Sequence, residues 1–410
     1  VTRPDGRSRF LPGPVLVAAL LALAAKIVLA SSTYGSSDVR SFLYFFRRDA
    51  LTGPTSVYAM VKDFNHPPPM LYVLRAIHGL SETTGIPFQF WIRLPAILAD
   101  LGTILVLARV LRPAFPLRTA ALVLCAAAPV SVFVSGFHGN TDPLMIFFVV
   151  LAIAVLGDGR SEASPRRAAI AGACFGLALD VKVVPLVFGP AILLWLPDWR
   201  KRCAFFGAAL AVVLITWAPL LLDAPVLVAR RVLGYGSTYG LWGISRVIPS
   251  DDLRRYGRIF LVLVVLTVSV HMNRASRKVP LFRQAAVVAF AFLAATPGFG
   301  VQYLAWLVPF TVALPLGAAV LFHLASGAFL AVVYTFWCGR PIETPDTSWL
   351  GRNFWRRGLP WDVANANRIG DWRGEIVWLE LACWIAVLVA LAALLHGARS
   401  RAEREAAPTG

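Results

Sequence analysis

Apolar segments of roughly 20 residues, the length an α-helix needs to cross the hydrocarbon of a bilayer, recur from one end of this chain to the other. Lipid offers no partner to a backbone N–H or C=O, so such a segment has to close its own hydrogen bonds as a helix. The pattern predicts about twelve spans, near 11–30, 91–110, 118–135, 143–156, 168–180, 182–197, 203–222, 257–272, 284–296, 302–316, 317–337 and 375–396. Composition agrees, with 58% of the 410 residues hydrophobic and 15% charged, against about 25% charged in an ordinary globular chain. No stretch is long enough for a separate soluble domain, so residues 1–410 read as one all-α, multi-pass domain of a cell membrane. The first segment resembles a secretory leader in length, but the many spans after it make it a first anchor. Cys125, Cys174, Cys203, Cys338 and Cys383 lie mostly inside apolar segments without metal-type spacing, which points to packing rather than to a disulfide framework or a zinc site.

Short connectors carry the orientation, because Lys and Arg accumulate in cytoplasmic loops. "RVLRPAFPLR", "GDGRSEASPRR", "PDWRKR" and "NRASRKVPLFR" are basic, whereas "SGFHGNTD" and "TPGFGVQ" contain neither Lys nor Arg, and the two kinds alternate. Both termini are therefore expected in the cytoplasm, with loops 31–90, 223–256 and 339–374 outside. That alternation fails if "PPPMLYVLRAIHGL", residues 67–80, is a full span. The run is also short for a crossing and contains Arg75 and His78. It is expected as a surface or re-entrant helix started by Pro67–Pro69, where missing backbone donors cost little. "VRSFLYFFRRDAL" before it reads as a second, interfacial amphipathic helix.

The external polar residues are where chemistry is expected. Asp38, in "YGSSDVRSF", has two readings, a general base at the membrane surface or the N-cap of the amphipathic helix that follows. Asp142, in "HGNTDPL", likewise stands at a helix start ahead of Pro143, but His138 and Asn140 beside it are more polar groups than a turn needs. One His with one carboxylate falls short of a usual metal-ligand set, and no metal site is assigned. Lys62, His66, Lys182, Arg230 and Arg231 read singly as headgroup contacts and together as a phosphate-binding rim. The net charge of +17 fits an anionic lipid partner as well as cytoplasmic anchoring. No nucleic-acid motif accompanies it, which argues against nucleic acid. Lys26 and Asp100 are ionisable groups at membrane depth, expected to be paired or to line a cavity. Arg93 and Asp100, seven apart, share one helix face.

In this order along the chain, Asp38 after the first span, "VRSFLYFFRRDAL", "FNHPPPMLY", "WIRLPAILADLG", "SGFHGNTDPLMIFFVVLAIAV", "GLALDVKVVPLVFGPAIL" and "TPGFGVQYLAWLVP" resemble the GT-C class of integral-membrane glycosyltransferases, closest to its mannosyltransferase-like bacterial branch. The resemblance runs to about Phe310. It implies a GT-C-like catalytic module over 11–222, carrying external loop 31–90, followed by further spans over 223–396. It also implies an inverting transfer of a mannose-like hexose from a polyprenyl-phosphate-linked donor to a hydroxyl of a glycan, lipid or protein acceptor. Asp38 would be the base, with Asp142 the second catalytic carboxylate and the cations above holding the lipid phosphate. Asn65, His138, Asn140, Gln302, Tyr303 and Trp306 would shape the substrate site, and Trp242 in "GYGSTYGLWG" would offer a sugar an aromatic surface. The chain departs from the class in having a single Asp in the first loop, where some branches carry an acidic pair, and in placing His66 where an aromatic residue is often found. Dependence on a divalent metal is therefore left open. Loop 339–374 matches no family pattern and is the expected seat of acceptor specificity. Two rivals remain: a lipid or sugar transporter, whose mark would be a repeat between halves, and a non-catalytic subunit of an envelope-glycan assembly complex. Oligomeric state is not legible.

Overall fold

A computed structural model describes residues 11–110, 118–157, 163–234, 236–275, 279–337 and 376–406. Loop 339–374 and Cys338 lie outside the described residues. The first half comprises α1 (Gly13–Ser32), α2 (Ser37–Thr52), α3 (Pro54–Met60), α4 (Pro69–Thr84), α5 (Phe88–Val110), α6 (Arg118–His138), α7 (Asp142–Leu156) and α8 (Pro165–Val181). The second comprises α9 (Val184–Trp195), α10 (Trp199–Asp223), α11 (Pro225–Gly234), α12 (Asp251–Ala275), α13 (Leu281–Ala295), α14 (Val301–Ala313), α15 (Leu316–Phe336) and α16 (Val377–Ala406). Seven of the described helices, α1, α5, α6, α10, α12, α15 and α16, are long and apolar enough to cross a membrane. The other five expected spans fall on the 17-residue α8 and on α7, α9, α13 and α14, apolar helices of 10–17 residues. Hydropathy locates these segments but does not measure their length, which proline and glycine cut short in α9 and α14.

The 31–90 segment folds as three helices, none of them among the seven. α4 begins at the prolines and ends at Gly85, whose φ of 66° is the left-handed C-terminal stop that glycine takes without strain. Its buried face, Met70, Leu71, Leu74 and Ile77, meets Phe42, Phe45, Tyr58 and Phe64 in a second core, closed by Trp217 and Leu220 of α10 and Val228 and Val232 of α11. Each large side chain buried there contributes roughly 1.5–3 kcal/mol, enough for the three helices to dock as a unit. Asp49 of α2 accepts from Arg75 Nε and Nη2 of α4 at 2.5 and 2.8 Å, the two-pronged geometry that fixes orientation.

Inside the bundle Lys26 of α1 reaches Asp100 of α5 at 2.6 Å, and Ser131 of α6 lies 2.7 Å from both groups. A buried pair of this kind survives because its spare valences are met by hydroxyls. Arg93, on the same face of α5, donates through Nη1 to the carbonyls of Leu29, Ala30 and Thr33 at 3.1–3.2 Å. The Leu29 carbonyl also accepts from the Thr33 N–H, and all three carbonyls belong to the end of α1, where helical partners run out. The guanidinium thus fixes where the chain leaves α1, six residues before Asp38. Farther along, β1 (Thr238–Tyr239) pairs antiparallel with β2 (Gly298–Phe299), tying the chain after α11 to the start of α14.

Candidate active site

Five parts of the chain line a cleft of about 510 Å³: the 31–90 segment, the turn joining α6 to α7, the junction of α8 and α9 and the start of α14, which bring polar side chains, and the end of α11, which brings Val232 and Gly234. Asp38 stands in the first turn of α2. Ser36, not Asp38, caps that helix: its Oγ accepts from the Asp38 N–H at 3.2 Å and donates to the His138 carbonyl at 2.9 Å. The same hydroxyl therefore closes the helix start and joins it to the turn bearing His138. Two glycines permit the approach, Gly35 at φ 77° and Gly139 at φ 78°; a Cβ on the first would strike Arg93 and the Phe137 carbonyl, and on the second Val39.

α6 ends in a π-helical turn, Val132–His138, a wide turn common at functional sites, and it turns the His138 ring toward α2. His138 is fully buried, with Nε2 2.8 Å from Asp38 Oδ2 and Nδ1 2.7 Å from the Tyr334 hydroxyl of α15. Asn140 Nδ2 donates to the same Oδ2 at 3.1 Å. A carboxylate can only accept, so Nε2 carries the proton, and in the neutral ring Tyr334 donates to Nδ1. No described residue bonds Oδ1, and a third of the side chain is exposed at the cleft. Burial pushes the Asp38 carboxyl upward, but the charge of His138, the hydrogen bonds from His138 and Asn140, and the charge of Lys182 together leave it lowered to about 2. Asp38 is thus an anion across the whole working pH range, with one oxygen committed and one free.

Asp142 lies behind this wall. It occupies the first position of α7 after Thr141, is fully buried, and pairs through Oδ1 with Lys182 Nζ, while Trp306 Nε1 donates to Oδ2 at 2.9 Å. Asn140 Oδ1 accepts from the Asp142 N–H at 3.0 Å and faces Lys182 Nζ at 3.4 Å. One carboxamide therefore links both aspartates and the lysine. With both oxygens engaged, Asp142 holds Lys182 in place. Lys182 itself lines the cleft, 16% exposed, at the extended residue ending α8.

Of the residues singled out in the sequence, Lys62, Asn65, His66, Gln302 and Tyr303 also line the cleft. Four do not. Arg231 donates to the carbonyls of Tyr58 and Ala59, fastening α11 to α3, and Arg230 beside it is exposed away from the cleft. Trp306 lies beneath, against Asp142. Trp242 is fully buried, stacked on Phe299 at 4.1 Å, with Nε1 donating to the Leu293 carbonyl. Sequence reasoning missed Ser36, Asp63, Phe42, Phe45 and Tyr334. A tyrosine closing an apolar span reads as an interfacial anchor, so nothing local marks Tyr334 as a partner of a histidine 196 residues away. Among the described residues, no group of three or more His, Cys, Asp or Glu converges in a way that could hold a metal ion.

No curated protein matches the chain. A family model described as dolichyl-phosphate-mannose-protein mannosyltransferase matches residues 65–222, from Asn65 through the His138–Asp142 turn and Lys182 to the end of α10. The matched part leaves Asp38 just outside and covers well under half of the chain, and it links this membrane protein, at the level of an enzyme family, to the GT-C-like mannosyltransferases that use polyprenyl-phosphate sugars.

Proposed function

We propose that the cleft transfers a mannose-like hexose, with inversion, from a polyprenyl-phosphate-linked donor to an acceptor hydroxyl on the external face of the membrane. The observation that carries this reading is the pairing, across one cleft, of an anionic Asp38 with a free Oδ1 and a Lys182 held by Asp142. The acceptor O–H places its proton on Oδ1 as its oxygen attacks the anomeric carbon. The bond from that carbon to the phosphate oxygen breaks, and the lipid phosphate departs with one more negative charge. Lys182, 16% exposed and already turned to the cleft, offsets that charge, and Lys62 at the rim adds to it. A carboxyl lowered to about 2 holds its proton weakly, so the proton moves late in that attack and is soon passed to water in the open cleft.

Asp38→Asn separates base from scaffold, because Ser36 caps α2 and the cap survives the change. Purified protein is incubated with a panel of polyprenyl-phosphate sugars and an acceptor mixture, and donor consumption is followed. The wild type should consume a mannose-type donor, and Asp38→Asn should insert and bind donor yet turn over about 10²–10⁴-fold more slowly, the usual loss when a positioned base is removed. Turnover of Asp38→Asn at the wild-type rate would sink the assignment. Donor lipid carried across vesicles without cleavage would favour a transporter instead.

A further inference from the structure

We propose that His66 reads a hydroxyl of the transferred sugar as a neutral hydrogen-bonding group and is not one of the cations that hold the phosphate; the proposal rests on the glycosyl-transfer reading above and names a specificity residue for it.

His66 lines the cleft, yet it is 7% exposed and its Nδ1 has no hydrogen-bond partner among the described residues. A buried polar atom left without a partner is costly and rare, and this one belongs to a side chain that lines the cleft. The ring is held rigidly. Phe42, Phe45 and Phe64 surround it at centroid distances of 5.3, 6.5 and 5.7 Å, and its own carbonyl accepts from the buried Tyr58 hydroxyl at 2.7 Å. Three prolines or helix-start positions follow at once, Pro67–Pro69, so the backbone behind the ring has little freedom.

The charge balance opposes a cationic role. Burial, then the positive charge of Lys182, hold the ring's pKa down to about 3 against a smaller upward pull from Asp38. The other titratable groups on the cleft wall are Lys62, Asp63 and Tyr303. A neutral imidazole offers one N–H donor and one acceptor nitrogen. A hydroxyl, which both donates and accepts, can meet either one, whereas a phosphate oxygen only accepts. The hydroxyl is assigned to the donor sugar by position. His66 feels both Lys182 and Asp38, the groups given to the departing phosphate and the attacking oxygen, and the sugar ring has to lie between those two. Phe42 and Phe45, also on the wall, present apolar surface to the C–H face of such a ring.

The test uses the full chain in detergent micelles and equilibrium binding of two probes, a bare polyprenyl phosphate and the same lipid carrying mannose. The wild type and His66→Gln, which keeps a neutral donor and acceptor, should prefer the mannosyl lipid. His66→Leu and His66→Arg should lose that preference by roughly tenfold, the scale of one hydrogen bond to a buried group, with affinity for the bare lipid unchanged. His66→Arg binding both lipids as well as the wild type, with His66→Leu weakened on the bare lipid, would make His66 a phosphate cation and overturn the proposal. So would equal binding of both lipids by the wild type. Should His66→Leu or His66→Arg unfold, a series of mono-deoxy mannosyl lipids decides the matter. One of them should bind the wild type and His66→Gln about tenfold more weakly, and a series without such a member counts against the assignment. Preference for the mannosyl lipid without any transfer would refute the glycosyltransferase reading and leave His66 standing, and transfer with no effect of His66 on sugar preference would do the reverse.

Discussion

Asp38 owes its charge state to its neighbours, and that dependence is measurable. Burial alone would raise the carboxyl, and the first of the influences that reverse this is the charge of His138. His138→Gln keeps an N–H for Asp38 but removes the charge of His138, the largest of the influences that oppose burial, and leaves the hydrogen bonds and Lys182 to oppose it. The carboxyl should then rise from about 2. Because a lowered pKa keeps the group ionised down to that value, the acid side of the wild-type profile of kcat/KM should show no limb from Asp38 above about pH 3. In His138→Gln a limb should appear at higher pH, with a rate loss near neutrality that is smaller than for Asp38→Asn. A rate loss with no change of profile would mean that His138 only packs. At this scale the sequence was legible where polar residues crowded a turn, as at His138, Asn140 and Asp142. It misled where two residues could cap one helix. Ser36 and Asp38 are equally good candidates by type, and only the backbone direction decides for Ser36.

Among the elements, the docking of α2 on α4 depends on one asymmetric ion pair. The Asp49 side chain is fully buried, whereas Arg75 is 46% exposed. Removing the arginine strands a buried carboxylate, while removing the carboxylate leaves a guanidinium that water can still reach. Arg75→Ala should therefore destabilise more than Asp49→Asn. Part of the roughly 3–5 kcal/mol seen for broken buried pairs is recovered by solvent at the exposed partner. Adding Asp49→Asn to Arg75→Ala should restore stability, because the stranded charge is gone. Thermal unfolding of the purified variants checks the order, and a double variant less stable than Arg75→Ala would contradict it. The amphipathic character of α2 and α4 was legible because charge and aromatic residues alternate on a helical period. α3 was not foreseen, since its seven residues between Gly53 and Val61 are too few to show a period.

For the molecule as a whole, the cleft constrains how often the chain crosses. Lys182 and Gly234 line the same cleft, and between them lie α9, α10 and the short α11, of which only α9 and α10 coincide with expected spans. α10 is long enough to cross, and Asp223 at its end bonds to Thr55 of α3, beside the cleft. If α10 returns the chain to that face, the short α9 has taken it away. The same parity applies from Gly234 to Gln302, where the long α12 needs a return through α13, and from Gln302 to Tyr334, where the long α15 needs a departure through α14. α7 and α8 lie between Asn140 and Lys182 and cross together or not at all. Helices below the usual span length can do this where they are packed inside protein, or where the bilayer thins around them. The expectation of twelve crossings keeps this parity, and hydropathy reaches that number by counting segments where helix length alone does not. The two counts separate at one pair of exposed residues, Lys62 and Arg200. Five of the twelve expected spans lie between them, which puts the two on opposite faces. If only the seven long helices cross, α5 and α6 alone intervene, and both residues share a face. Single cysteines at positions 62 and 200 are labelled in intact cells with a membrane-impermeant maleimide, before and after permeabilisation. Position 62 should label in intact cells and position 200 only after permeabilisation. Labelling of both in intact cells would reduce the crossings to the long helices and remove the parity on which a single external cleft depends.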